Sequence, residues 1–269
     1  MSSAKIGVSM LYRLGDSFNR MVKRLGTENT RCIEILDDGA HELSKTRVSL
    51  LREVAKSYDL EFTVHAPFAD INIASPSRTI LEVALKRLEK SLYYAHALDA
   101  MLWVLHPGAK TGISQFYPDA GWKQNVESIE ELYAKAEHLG VNVAIENLPA
   151  KYWFLMSSPE DFCRFYRETS LPIGIVLDVG HAHLESQVQP FFDQLADKIV
   201  HIHVSDNHGV NDDHLGVGYG TVDYDWFAKT LKKVDYNQRI IVESCTHVPE
   251  SLQKLMLMLN PEQSAFDAN

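Results

Sequence analysis

Eight short β-type runs recur along the chain, each set apart from the next by a longer stretch. They are Ile6–Met10, Arg31–Leu36, Glu61–His65, Met101–His106, Asn142–Glu146, Gly174–Asp178, Ile199–Val204 and Arg239–Glu243. Helical patterns lie between them. The clearest covers Ser77–Leu98, where Ile80, Leu81, Ala84, Leu88 and Leu92 recur at helical spacing. Gly121–Leu139, Pro159–Glu168, Asp225–Val234 and Pro249–Leu259 are shorter versions. Ser158 before Pro159 reads as an N-cap followed by a first-turn proline, and Gly140 as a C-terminal stop. Such alternation marks βαβ units and a parallel sheet. Eight units within 269 residues fit a closed (β/α)8 TIM barrel better than an open doubly wound sheet. No linker or low-complexity stretch divides the chain, so one domain over residues 1–269 is expected, with a C-terminal tail at 260–269.

Composition narrows the partners. The residues are 45% hydrophobic and 23% charged, ordinary for a globular protein. No apolar run approaches the roughly 20 residues that a membrane helix needs. The opening MSSAKIGVSM lacks the layout of a secretory signal. Cys32, Cys163 and Cys245 are widely spaced, with no CxxC, so neither a disulfide framework nor a thiolate zinc site is indicated. A reducing cytoplasm is the expected location. The formal net charge of −10 argues against an extended nucleic-acid surface, because Lys and Arg at phosphates supply most such affinity. A local basic patch stays open, and bound divalent ions would cancel several negative charges. The expected partner is a small polar substrate.

Chemistry-bearing side chains gather where the apolar runs end. His65 closes FTVHAP, His106 WVLHPG, Glu146 VAIENLP, Asp178 IVLDVGH and Glu243 IIVES. A parallel barrel carries its chemistry at the C-terminal ends of its strands, so these groups can converge on one rim. Glu146, Asp178, His203 and Glu243 offer oxygens and one imidazole, a set suited to Mn²⁺, Mg²⁺, Co²⁺ or Zn²⁺ with positions left for substrate. A second group adds His65, His106, His181, Asp212 and His214 as further metal ligands or substrate contacts. Asp178 and His181 lie one turn apart, close enough to share a cation, and Asp212 and His214 fall on one side of an extended loop. His201 alternates with His203 and reads as a hydrogen-bonded interior residue. No GxGxxG or GxxxxGK[ST] follows a strand, no nucleophilic triad is visible, and nothing near Cys245 argues for a reactive thiol. Gly216, Gly218 and Gly220 follow the seventh strand, where barrels can bind phosphate, but read as loop geometry. Lys110 reads as a solvated loop lysine.

From HAPF and DINIASP through HPG, IENLP, LDVGHAH, VHIHVSDN and DDHLGVGYGTVD to IIVES, the chain resembles the xylose-isomerase-like barrel superfamily. That group holds sugar phosphate isomerases and epimerases, tagatose-type 3-epimerases and endonuclease IV. For its epimerase-like members the resemblance implies one divalent ion held by Glu146, Asp178, His203 and Glu243, a metal-stabilised enediolate, and Glu146 and Glu243 as the acid/base pair. His181 would hold a substrate hydroxyl. For endonuclease IV it implies three zinc ions on all nine residues and cleavage of DNA at abasic sites. The acidic balance, the carboxylate-rich LDDGAHELS after the second strand, and a first loop offering only Tyr12 and Arg13 weigh against that second reading. A missing Arg after His203, where SDNHG stands, departs from the tagatose-type pattern. The expected function is therefore a metal-dependent sugar isomerase or epimerase, with one ion favoured over three. The abasic-site phosphodiesterase and a keto-polyol dehydratase or lyase are the alternatives. Barrels of this kind often pair, so a homodimer is compatible with the sequence.

Overall fold

Each of the eight runs is a strand in the computed structural model, which describes residues 4–117 and 119–259. The strands are β1 (Lys5–Ser9), β2 (Cys32–Leu36), β3 (Glu61–His65), β4 (Trp103–Leu105), β5 (Val143–Glu146), β6 (Gly174–Asp178), β7 (Ile199–Val204) and β8 (Arg239–Val242). All pair in parallel, and β1 pairs with both β2 and β8, so the sheet closes into a barrel in chain order. This is the (β/α)8 architecture expected from the alternation. The tail expected over 260–269 lies outside the described residues.

Strand alternation aims the chemistry. Ile33 and Ile35, Trp103 and Leu105, and Ile202 and Val204 face the helices and belong to the main core. Between them, Leu102, Val104, Ala144 and Val176 form a separate apolar cluster in the lumen. Two residues beyond these inward positions come His106 after Val104, Glu146 after Ala144 and Asp178 after Val176. The period of two therefore carries each of these side chains to the barrel axis at its C-terminal mouth.

Helices cover the outside. Arg78–Ala97 buries Leu81, Ala84, Leu85, Leu88, Leu92 and Ala95. Burial of a leucine such as Leu88 or Leu92 contributes roughly 1.5–3 kcal/mol of transfer free energy. Ile80, expected on that stripe, is 55% exposed because it sits about a quarter turn to one side. Ala120–Leu139 ends at Gly140 in the left-handed region, φ 70°, as a glycine stop should. Pro159–Thr169 starts with a full capping box, Ser158 and Asp161 each accepting from the other's main-chain N–H. Lys45–Tyr58, Val179–Leu184 and Val188–Leu195 are further helices that the periodicity did not single out. Among the described residues no helix is long and apolar enough to cross a membrane.

Candidate functional site

Four side chains from β5, β6, β7 and the end of β8 meet at the rim. His203 Nδ1 lies 3.2 Å from Glu146 Oε1 and 3.2 Å from Glu243 Oε2. Asp178 completes the group, with one donor atom of each residue within 4.8 Å of the others. All four are buried. Asp178 Oδ2 is buried without a hydrogen-bond partner, a condition that costs about 1–3 kcal/mol or more unless something else satisfies it. Ser9 Oγ donates to Glu243 Oε1 at 3.3 Å.

Two more clusters flank the first. His65 Nε2 and His106 Nε2 stand 3.3 and 3.1 Å from Glu146 Oε2, so Glu146 presents one oxygen to each of two clusters. His181 Nε2 and His214 Nε2 each lie 3.1 Å from Asp212 Oδ2. Phe68 packs edge-on to His65 with ring centroids 5.4 Å apart, and lies 5.5 Å from His106. Phe68 thus places an apolar ring beside these two imidazoles. Three rings have fixed orientations: Nδ1–H of His65, His181 and His214 donates to the carbonyls of Ala66, Asn147 and Glu243 at 2.8, 2.9 and 2.8 Å. A carbonyl only accepts, so each of these rings turns Nε2 toward its cluster.

The donor set fits divalent cations. Tetrahedral coordination with bonds near 2.0 Å puts ligand atoms about 3.3 Å apart. The separations of 3.1 to 3.3 Å around Glu146 and Asp212 match that spacing. Electrostatics tell the same story. Burial would raise Glu146, yet the imidazoles of His203 and His106 hold it well below the usual carboxylate range. Glu243 is likewise lowered, burial being outweighed by His203. Burial dominates at Asp178, whose carboxyl is pushed up to about 6. Burial opposes charge on His65 and His214, but Glu146 and Asp212 raise them to about 9. Burial similarly opposes charge on His181 and His203, which their carboxylate neighbours hold well above the usual imidazole range. His106 is pushed down, chiefly by burial. Like-charged carboxylates packed this closely call for positive charge in their midst, from protons or from cations.

All nine side chains singled out in the sequence lie in these three clusters. One detail differs: Asp178 and His181 fall in different clusters. Asp178 Oδ1 accepts from the His181 main-chain N–H at 2.6 Å as an N-cap, which leaves the His181 ring free to turn toward Asp212. His201 is an interior residue, its Nε2 3.2 Å from Glu34 Oε2. Two of the three LDDGAHELS carboxylates are held within the fold, while Glu42 stays partly exposed beside Lys90. Asp37 is fully buried against Arg87, and Asp38 accepts from the main chain of Gly39, Phe68 and Ala69. Gly218 and Gly220 serve loop geometry: Gly218 has φ +82°, and a Cβ on Gly220 would stand 2.3 Å from the Asn207 carbonyl. Gly218 N–H is taken by the Asp206 carboxylate at 2.9 Å. Sequence reasoning missed Glu34 and Asn147. Asn147 clamps β6, accepting from Asp178 N–H and donating to Asp178 O.

The comparisons agree with this architecture. A family model described as "Xylose isomerase-like TIM barrel" matches residues 21–262. The uncharacterized protein MJ1311 of Methanocaldococcus jannaschii is 29% identical over 244 residues, 89% of this chain and 83% of that protein. A "Probable endonuclease 4" of Staphylococcus aureus (strain JH9) is 26% identical over 191 residues, 64% of this chain and 62% of that protein. The crystal structure of a D-tagatose 3-epimerase-like protein superposes with a TM-score of 0.89 at 27% identity, covering 97% of this chain and 99% of that one. With a matching model across nearly all of its barrel, the chain belongs to the xylose isomerase-like TIM barrel family.

Proposed function

We propose that this protein is a divalent-metal-dependent isomerase or epimerase of a small sugar, sugar phosphate or polyol derivative. The observation that carries the proposal is the buried centre of Glu146, Asp178, His203 and Glu243, in which two carboxylates stand 3.2 Å from the same imidazole nitrogen. The likeness to a D-tagatose 3-epimerase-like structure supports it. Bound by these four residues, a divalent cation would polarise an adjacent carbonyl and hydroxyl of the substrate and so acidify the proton between them. Glu146 and Glu243, both held ionised, are the groups able to take that proton and to return it from the other side or at the neighbouring carbon. Incubating candidate ketoses in D₂O with the protein and watching for deuterium next to the carbonyl tests the proposal. Exchange that a chelator abolishes is expected; no exchange with any ketose would count against it.

One observation favours a second reading. Glu146 belongs to two of the three clusters, the arrangement of a carboxylate that bridges a pair of cations, and such pairs suit phosphoester hydrolysis. The buried pairing of Asp37 with Arg87 also removes one argument against a phosphate backbone at the mouth. Cleavage of an abasic-site duplex at physiological salt, abolished by a chelator, with no ketose exchange, would put this reading first.

A further inference from the structure

His203 is turned opposite to the other oriented rings in the site. His65, His181 and His214 direct Nε2 at their clusters and anchor Nδ1–H on a carbonyl. His203 directs Nδ1 at Glu146 and Glu243, and its Nε2 points down the barrel to Glu34 Oε1 on β2, 3.0 Å away. Both atoms are fully buried, and neither has another hydrogen-bond partner among the described residues. At 3.0 Å the two atoms are within hydrogen-bond distance, though their approach is out of line. Glu34 itself is held from the other side, Oε2 accepting from Thr63 Oγ1 at 2.9 Å and lying 3.2 Å from His201 Nε2. A carboxylate in this lumen replaces the apolar side chains found at Val104 and Val176, and its desolvation costs several kcal/mol. Packing alone does not account for it.

We infer that Glu34 is a positioning residue that fixes His203 as the Nε2–H tautomer, leaving Nδ1 free to bind a divalent cation. A buried carboxylate behind a ligating imidazole sets both its orientation and its basicity. The donor atoms of Glu34, His201 and His203 are themselves close enough to enclose an ion. An ion there would require His203 to coordinate through both nitrogens, and a neutral imidazole has one lone pair to give. The same ring cannot serve both centres, and the rim centre has the larger ligand set.

The inference rests on the cation-binding reading of the rim, and its test separates the two. Zn²⁺ affinity is measured by competition with a chromophoric chelator on folded protein, and the histidine-ring N–H signals of the Zn²⁺-loaded protein are recorded by ¹H–¹⁵N spectroscopy. His203→Gln identifies the His203 signal by its loss. Glu34→Gln keeps the volume but offers one acceptor oxygen in place of two. It is expected to weaken Zn²⁺ binding by about 10–100-fold and to shift or erase the His203 Nε2–H signal. Glu34→Asp keeps the charge but withdraws it by one methylene, and is expected to weaken Zn²⁺ binding by less and to shift the His203 Nε2–H signal without erasing it; it carries the test if Glu34→Gln does not fold. Wild-type affinity and an unmoved His203 signal in a folded Glu34 variant would overturn the inference alone. A wild-type protein with no Zn²⁺ affinity would overturn the rim reading and the inference with it.

Discussion

Loading this site with a divalent cation must expel protons, and their number reports how many ions bind. Against the opposing effect of burial, the carboxylates hold His65 and His214 up to about 9, and His181 and His203 well above their usual range. Near neutral pH each of these rings therefore carries a proton that a cation must displace, whereas His106, pushed down by burial, does not. A single cation in the Glu146, Asp178, His203, Glu243 centre should release about one proton, from His203. Cations in all three clusters should release about four, with His65, His181 and His214 giving one each. The sign follows from the raised values. Protons compete with the cation for these raised nitrogens, so affinity rises with pH across the neutral range; at the clusters of His65 and His214 it levels off once pH passes about 9. Each exchanged proton makes the slope about tenfold in Kd per pH unit. Titration calorimetry of Zn²⁺ in two buffers of different ionisation enthalpy gives the count directly. Binding with no proton release, or an affinity flat between about pH 6 and 9, would refute the charge assignment.

Three substitutions extend the account. Asp37→Ala removes a fully buried carboxylate that accepts from Arg87 Nη1 and Nη2 at 3.0 and 2.8 Å and from Leu43 N at 2.6 Å. It should cost about 3 kcal/mol and lower Tm by roughly 6–12 °C; a loss below about 1 kcal/mol in urea unfolding would contradict the pairing. Ser158→Ala breaks the capping box and should cost about 1 kcal/mol, read as a lower urea midpoint at unchanged slope. Glu146→Gln replaces an acceptor shared by two clusters with an amide that must point a donor at one of them. It should slow deuterium exchange into a ketose substrate by about 10²–10⁴-fold and reduce bound metal; unchanged exchange, followed by NMR, would remove Glu146 from the reaction.

The rim was legible in the sequence because strand alternation is rigid. Once Val104, Ala144 and Val176 face the lumen, His106, Glu146 and Asp178 must follow two residues later, whatever the loops do. Glu34 obeys the same rule but sits in mid-strand, in CIEIL, and a search confined to strand ends passes over it. What lay outside sequence reach depends on competing hydrogen bonds. Residue spacing suggested that Asp178 and His181 share a cation; the N-cap that Asp178 makes and the Asn147 carbonyl decide otherwise. The acidity of Asp37 and Asp38 looked like a surface property until Arg87 and the main chain of residues 68 and 69 were seen to consume it. Lys45–Tyr58 escaped notice because it buries only Val48 and Leu51, too narrow a stripe to announce a helix.

Anomalous scattering from crystals of the purified protein, collected across the metal absorption edges, tests the central claim most directly. The account predicts an ion enclosed by Glu146, Asp178, His203 and Glu243, with any further ions between His65, His106 and Glu146 and between His181, Asp212 and His214. A mouth without anomalous density after soaking in Zn²⁺ and Mn²⁺, with these side chains paired only to one another, would contradict it.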